Sequence, residues 1–257
     1  MIIFISAFYN NALEIIKLLV EAGAKFNTTE KTDERSLIPY SFINQFNTSF
    51  IHSPILTRNE GISLNQMCNN LTEAKLIYRA SRDGFSASSF HLKCDNYSNT
   101  VTIIKTTSNS VFGGFTSAKW TSFGGFTSDS NAFIFSLRRS GNSNKERLNV
   151  TYPNYAIYGY SPYGPTFGGG HDIFVIDSSN TNGNSYSNFG HGYQLPKNIT
   201  YGSTEAKSYL AGSYNWKTTE IEVYQLTPYI PYSVSYLHNG CLFVFYYKKL
   251  FINYNFF

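Results

Sequence analysis

Charge is what this 257-residue chain has least of: Asp, Glu, Lys and Arg make up 14% of it, against about 25% in an average globular domain. The net charge of +4 is modest and is not gathered into a long basic run. A nucleic-acid groove needs clustered Lys and Arg, so no nucleic-acid partner is expected. Cysteine is scarce as well, and Cys68, Cys94 and Cys241 make no disulfide framework. No run reaches the ~18 apolar residues of a membrane span. Met1–Phe8 is apolar but has neither a basic n-region nor a small-residue cleavage site. Asn-x-Ser/Thr triplets at Asn47, Asn70, Asn96, Asn149 and Asn198 are what Asn-rich sequence yields by chance. The expected compartment is the cytosol.

What the chain has in quantity is aromatic residues and glycine: 22 Phe, 21 Tyr and 19 Gly. That composition suits short strands and tight turns. Leu76–Ala80 reads as a short strand ended by the turn signal Ser81-Arg82-Asp83-Gly84. Ser86 caps a predicted helix over Ala87–Cys94, with Phe90 and Cys94 on one face. Val101–Thr106 and Val111–Thr116 form a hairpin through Thr107-Ser108-Asn109-Ser110. The hexapeptide Phe112–Ser117 recurs as Phe123–Ser128. Its paired glycines permit a turn or a close approach of another chain, and are placed at strand ends.

Elsewhere the pattern is mixed. Asn11–Asn27 is the best amphipathic helix, with Leu13, Ile16, Leu19 and Val20 on one face and Gly23 as its stop. Asn59–Asn70 is a second helix. Asn131–Leu137 reads as a strand buried on both faces. Ser140–Lys145 reads as a polar loop, Tyr155–Tyr160 and Ile173–Ile176 as strands. The Ser-, Asn- and Gly-rich stretch from Asp177 to Asn198 reads as a long exposed loop. Ala206–Gly212 holds one helical turn. Thr219–Tyr224 is a half-buried strand with Glu220 and Glu222 expected to face water. Residues 227–257 form an aromatic-rich tail without period.

Four blocks in order resemble the TLDc domain of the eukaryotic oxidation-resistance proteins. They are Leu76–Ser86 with Phe90-His91 and Cys94-Asp95; Val111–Phe115; Asn131–Leu137; and Thr166–Val175, which contains Gly168-Gly169-Gly170-His171-Asp172. The resemblance covers about 53–226. It implies an α+β fold with a central antiparallel β-sandwich edged by short helices. Residues 1–35 are similar to part of an ankyrin repeat, on Glu14–Leu19 and Ala22-Gly23-Ala24; the alternative is a helix packed on the main domain. One ankyrin unit cannot bury its apolar face alone, so that reading implies a piece of a longer protein. Residues 36–52 are then a linker.

The TLDc resemblance implies a non-catalytic interaction module, linked to oxidative-stress protection and to binding or regulating the vacuolar proton-pumping ATPase (V-ATPase). It implies no cofactor. The family-motif residues Arg82, Asp83, Gly84, Phe90, Gly113, Gly114, Gly168, Gly169, Gly170 and Asp172 are expected to be structural. The alternative is an enzyme or oxidant scavenger that uses Cys94, although the C-terminal end of a helix disfavours a thiolate. Catalytic patterns are not met. Gly159–Gly164 misses the nucleophile elbow by one residue. The triple glycine is followed by His171-Asp172 rather than the Lys of a phosphate loop. His91 and Cys94 lack a second ligand pair of similar spacing for a metal, unless Cys68 or His171 folds nearby. Asp172 and Glu205 are the acids to test for a shared cleft.

Overall fold

The structure, a computed structural model, describes residues 50, 52–68, 72–228, 232–238 and 241–247. The ankyrin-like helix and the linker up to residue 49 lie outside these residues.

Runs of β-branched and aromatic residues set the strands. β1 (Thr72–Arg79), β2 (Thr100–Thr106), β3 (Val111–Thr116), β5 (Phe133–Arg139), β6 (Asn142–Asn149) and β12 (Thr218–Pro228) form one sheet, in the order β1-β12-β2-β3-β5-β6. β4 (Phe123–Thr127), β7 (Ile157–Tyr160), β8 (Tyr163–Phe167), β9 (Ile173–Ile176), β10 (Ser185–Tyr186) and β11 (Asn215–Trp216) form the other, in the order β11-β10-β9-β8-β7-β4. Pairing is antiparallel throughout both. This is the expected α+β sandwich.

One core joins the sheets. Ile104, Phe112, Ile134, Ile221 and Val223 of the first meet Ile157, Phe167, Ile173, Val175 and Trp216 of the second. Each such side chain contributes about 1.5–3 kcal/mol by leaving water. Ser86 caps α3 (Ala87–Cys94) as expected, and Phe90 of α3 packs edge-on against Trp120 at 5.2 Å. The first sheet is buried on its other face too. Val101, Ile103, Phe133, Phe135 and Leu137 pack there with Leu64 and Cys68, which come from α1 (Arg58–Met67) and its C-cap. A capping box between Thr57 and Glu60 starts α1. Arg138 clamps it to the sheet, with Nε donating to Glu60 Oε1 at 2.8 Å. Burial works against the Glu60 charge, yet Arg138 and Thr57 hold its carboxyl below the usual range.

That second buried face corrects a reading of β12. Glu220 and Glu222 do not face water: they are 9% and 0% exposed. Alternation put them on the face opposite Ile221 and Val223, but Ser53 reaches Glu222 and the Ser81 amide reaches Glu220, so neither side chain meets solvent. Gly113 and Gly114 do not mark a strand end either; they sit in the middle of β3, opposite Ile103 and Thr102 on one side and Phe135 and Ile134 on the other. Ser140–Lys145 is no loop: Ser140 and Gly141, both at positive φ, turn β5 directly into β6. Within the stretch from Asp177 to Asn198, Ser179, Ser185, Ser187, Phe189 and Tyr193 are all buried, because hydrogen bonds and ring packing fold it onto the sandwich. Past residue 227 a strand pattern does exist: β13 (Tyr232–His238) pairs antiparallel with β14 (Cys241–Tyr247) as a separate hairpin. The sequence puts Asn-Gly at its tip, a strong two-residue hairpin signal.

Short α2 (Ala80–Asp83) follows β1, and α4 (Thr204–Ser208) precedes β11. No described helix is long and apolar enough to cross a membrane.

Candidate functional site

The two sheets differ in what covers their outer faces. α1 closes the first, whereas the outer face of the second carries aromatic rings. Strand alternation puts them there. In β7, Ile157 points to the core while Tyr158 and Tyr160 point out; in β9, Ile173 and Val175 point in and Phe174 out.

The rings form an unbroken row across five of the six strands, from the residue before β11 to β4. Tyr214, next to β11, lies 5.6 Å from Tyr186 of β10, and Tyr186 lies 4.8 Å from Phe174 of β9. Phe174 meets Tyr163 of β8 edge-on at 4.7 Å. Tyr163 touches Tyr160 at 5.1 Å and Tyr158 at 6.1 Å, and Tyr158 touches Phe126 of β4 at 4.8 Å. Such contacts add about 0.5–1.5 kcal/mol each beyond area burial, so the row is preformed. His171 completes its middle: it stacks on Phe174 at 5.4 Å and 12°, and its Nδ1 is 2.8 Å from the Tyr186 hydroxyl. Burial pulls the His171 imidazole below its ordinary value, favouring the neutral ring. Lys207 stands 5.7 Å above the Tyr214 ring.

The row opens to solvent at both ends, at Tyr214, which is 43% exposed, and most widely toward β4. Phe123 is 94% exposed, Phe126 42% and Tyr160 40%. Exposed rings of this kind stack, and the Tyr160 hydroxyl can hydrogen-bond as well, the chemistry of protein contact surfaces.

The candidate residues of the sequence motifs lie elsewhere and do not converge. Arg82 donates to both Asp83 oxygens, at 3.0 and 2.7 Å, and Asp83 accepts the Arg79 amide at 3.0 Å. The pair is thus a turn brace as well as a surface ion pair. Gly84 takes φ +106, and its carbonyl accepts the Tyr78 hydroxyl at 2.8 Å. Phe90 is core. Gly113 and Gly114 admit Thr102 and Phe167 at distances no Cβ allows.

Gly168, at φ +83, leaves room for Asp172. The Asp172 carboxylate accepts the amides of Gly190, His191 and Gly192 at 2.6, 3.0 and 2.8 Å. It therefore pins one loop to the turn after β8. Burial pushes this carboxyl up to about 7, against the pull of those amides. Gly169 lies against Tyr155, and Gly170 against His191. Glu205 is exposed in the first turn of α4, while Asp172 is wholly enclosed, so the two form no shared cleft.

The remaining reactive groups are also spoken for. His91 places Nδ1 2.8 Å from Asp95 and Nε2 3.0 Å from the carbonyls of Tyr160 and Tyr163. It fixes α3 to the β7–β8 hairpin. Ser161 of the near-elbow lies in the two-residue turn of that hairpin. Cys94 is 0% exposed, and burial, then Asp95 and Asp83, push its thiol far above the ordinary range. Burial likewise takes Cys68 up to about 12. Among the described residues no three His, Cys, Asp or Glu side chains are grouped to hold a metal. An open cavity of about 570 Å³ lies beside Cys68, Phe133 and Arg147.

The TLDc family model matches residues 48–227. The chain belongs to the TLDc domain family. The matched region holds both sheets, and its motif residues are those that close turns and strand crossings in the sandwich. None of the curated proteins matches the chain. In this TLDc domain the aromatic row is the feature that motif reading missed. Its signal in the sequence was the alternation in Ile157-Tyr158-Gly159-Tyr160, visible only once the inward face is known. Also missed was the cluster beneath the covered face of the first sheet, where Ser53 donates to Glu222 at 2.5 Å and Arg79 Nη2 approaches it to 2.6 Å.

Proposed function

We propose that this TLDc domain is a non-catalytic interaction module that docks a protein partner through the outer face of its second sheet. The observation carrying this is the continuous aromatic row from Tyr214 to Phe126, exposed at its β4 end. The biological setting proposed, by analogy with the family, is protection from oxidative stress in the cytosol through binding or regulating the V-ATPase. The competing reading is direct oxidant chemistry at Cys94. A thiol that is wholly buried, at a helix C-terminus and beside two carboxylates, is a poor nucleophile.

The test is co-sedimentation of the full chain with purified V-ATPase, using the parent and a Phe126→Ser/Tyr160→Ser double variant whose melting is checked separately. Binding by the parent, weakened at least ~10-fold in the variant, is expected for a stacked aromatic surface. If the parent fails to bind an intact pump, the pump is the wrong partner. If Cys94→Ala, still folded, abolishes peroxide protection in cells, the interaction reading gives way to the thiol.

A further inference from the structure

A two-sheet sandwich has four edge strands, each offering a row of unpaired N–H and C=O groups. Three of them here are guarded. β1 carries Glu73 and Lys75, β6 carries Lys145, Glu146 and Arg147, and β11 is only two residues long. β4 has no such guard. From Thr121 to Ser128 it has no charged residue and no proline, and among the described residues β4 pairs only with β7. Its Phe123 is the most exposed apolar side chain among the described residues.

The chain contains its own control. Phe112–Ser117 and Phe123–Ser128 are the same hexapeptide. The first copy lies in β3 and accepts an antiparallel strand on both sides, β2 and β5. The glycines of that copy are filled from outside: a Cβ on Gly114 would meet the Phe167 ring at 2.6 Å. Among the described residues the second copy accepts a strand on one side only, and nothing lies within 4 Å of a Cβ on Gly125. The copies differ at Gly124, which takes φ +82 and makes a bulge against β7. The regular part of the open edge therefore runs from Gly125 onward.

We propose that β4 is a strand-addition site for an extended, uncharged segment of a partner protein, with aromatic or β-branched residues at alternate positions. The segment pairs antiparallel with β4 and becomes a seventh strand of the second sheet. Main-chain hydrogen bonds supply affinity, as in other strand-addition complexes. A charged segment is selected against, because no counter-charge stands on β4 to pair with it. The segment's outward side chains extend the aromatic row past Phe126. The inference deepens the interaction reading, since it names the kind of segment bound at the exposed end of that row.

The probe is a synthetic peptide with the sequence of Ala132–Leu137, the strand that the first copy accepts, flanked by lysines for solubility. It is titrated into the full chain alongside a form N-methylated at alternate backbone nitrogens. The expected result is binding that slows amide exchange at Gly125–Ser128, is lost on N-methylation, and weakens at least ~10-fold in Phe123→Lys. Phe123 is nearly free of contacts, so that variant keeps its fold. Absence of binding at about 1 mM, equal binding of the N-methylated form, or protection elsewhere overturns the proposal. Sedimentation of the free chain as a dimer that Phe123→Lys dissolves assigns the edge to a second copy and overturns it too. Pump binding that survives while the peptide fails separates this failure from failure of the interaction reading.

Discussion

The ring of Phe167 in β8 lies against the bare α-carbon of Gly114 in β3, so that a Cβ at 114 would stand 2.6 Å from Phe167 Cε1. This contact joins the two sheets at their centre. It gives the Phe-Gly-Gly-Phe motif a packing cause: Gly114 is needed for close approach, since its φ is not positive.

A graded series of Gly→Ala variants follows from the distances. At Gly113 the new methyl meets the Thr102 carbonyl oxygen at 1.8 Å, and backbone cannot step aside. At Gly114 it meets a ring, which can shift. At Gly169 its nearest neighbour is Tyr155 Cβ at 3.0 Å. Gly113→Ala is expected to cost more than ~3 kcal/mol, Gly114→Ala about 1–3 and Gly169→Ala about 1. Gly125→Ala, with open space around it, should stay within about 0.5 kcal/mol of the parent. Thermal or urea melts give the order, and a Gly125→Ala variant as unstable as Gly114→Ala contradicts it.

Arg79 and Glu222 predict an asymmetry. Glu222 is fully buried, while the Arg79 side chain keeps 24% of its surface exposed. Arg79→Ala strands a buried carboxylate and is expected to cost about 3–5 kcal/mol. Glu222→Gln leaves a guanidinium that can turn toward water, and should cost less than half as much. Burial raises the Glu222 carboxyl against the pull of Ser53 and Arg79, which points the same way. Equal losses in a urea titration would show that the pair is not desolvated.

Asp83 makes acid sensitivity specific. The Arg82 hydrogen bonds, with the Arg79 amide and Lys93, hold its carboxyl down at about 2 against an ordinary value of 3.8. A depressed folded value means the stabilisation is complete above the unfolded value and is lost as protons bind below it. The thermal midpoint should therefore fall as pH drops from about 4 to about 2. Asp83→Asn should be less stable at neutral pH and flatter across that window. An unchanged slope in the variant would mean that other carboxylates control the acid limb.

Cys94 and Cys68 should resist modification in the native state. In a Cys241→Ser background, an aromatic disulfide reagent is expected to react at least ~100-fold more slowly with the folded chain than with the urea-unfolded chain. Both thiols are buried and both are shifted upward by burial. Rapid reaction of one native thiol, mapped to Cys94, would favour direct oxidant chemistry.

Local signals made much of this domain legible. Ser86 before Ala87–Cys94 set a helix, and Val101–Thr106 with Val111–Thr116 set a hairpin, because capping and β-branching act within a few residues. The aromatic row was not legible. Its rings come from five strands and the residue before β11, spread from Phe126 to Tyr214, and only the sheet order makes Tyr186 a neighbour of Phe174 and Tyr163 of Tyr158. Glu222 was misplaced for a related reason. Alternation says that it lies opposite Val223, but not that a helix and a loop cover that face.

The two copies of Phe-Gly-Gly-Phe-Thr-Ser divide sequence from tertiary structure most clearly. By itself the sequence marked the first copy as a strand, since its aromatic and β-branched residues suit extended chain, and set the glycine pairs of both copies at strand ends; both copies form strands, β3 and β4. Only the tertiary structure decided that one copy is the centre of a sheet and the other an edge. Identical residues carry identical local preferences. What differs is which distant strands arrive beside them: among the described residues β2 and β5 flank the first, and β7 alone reaches the second.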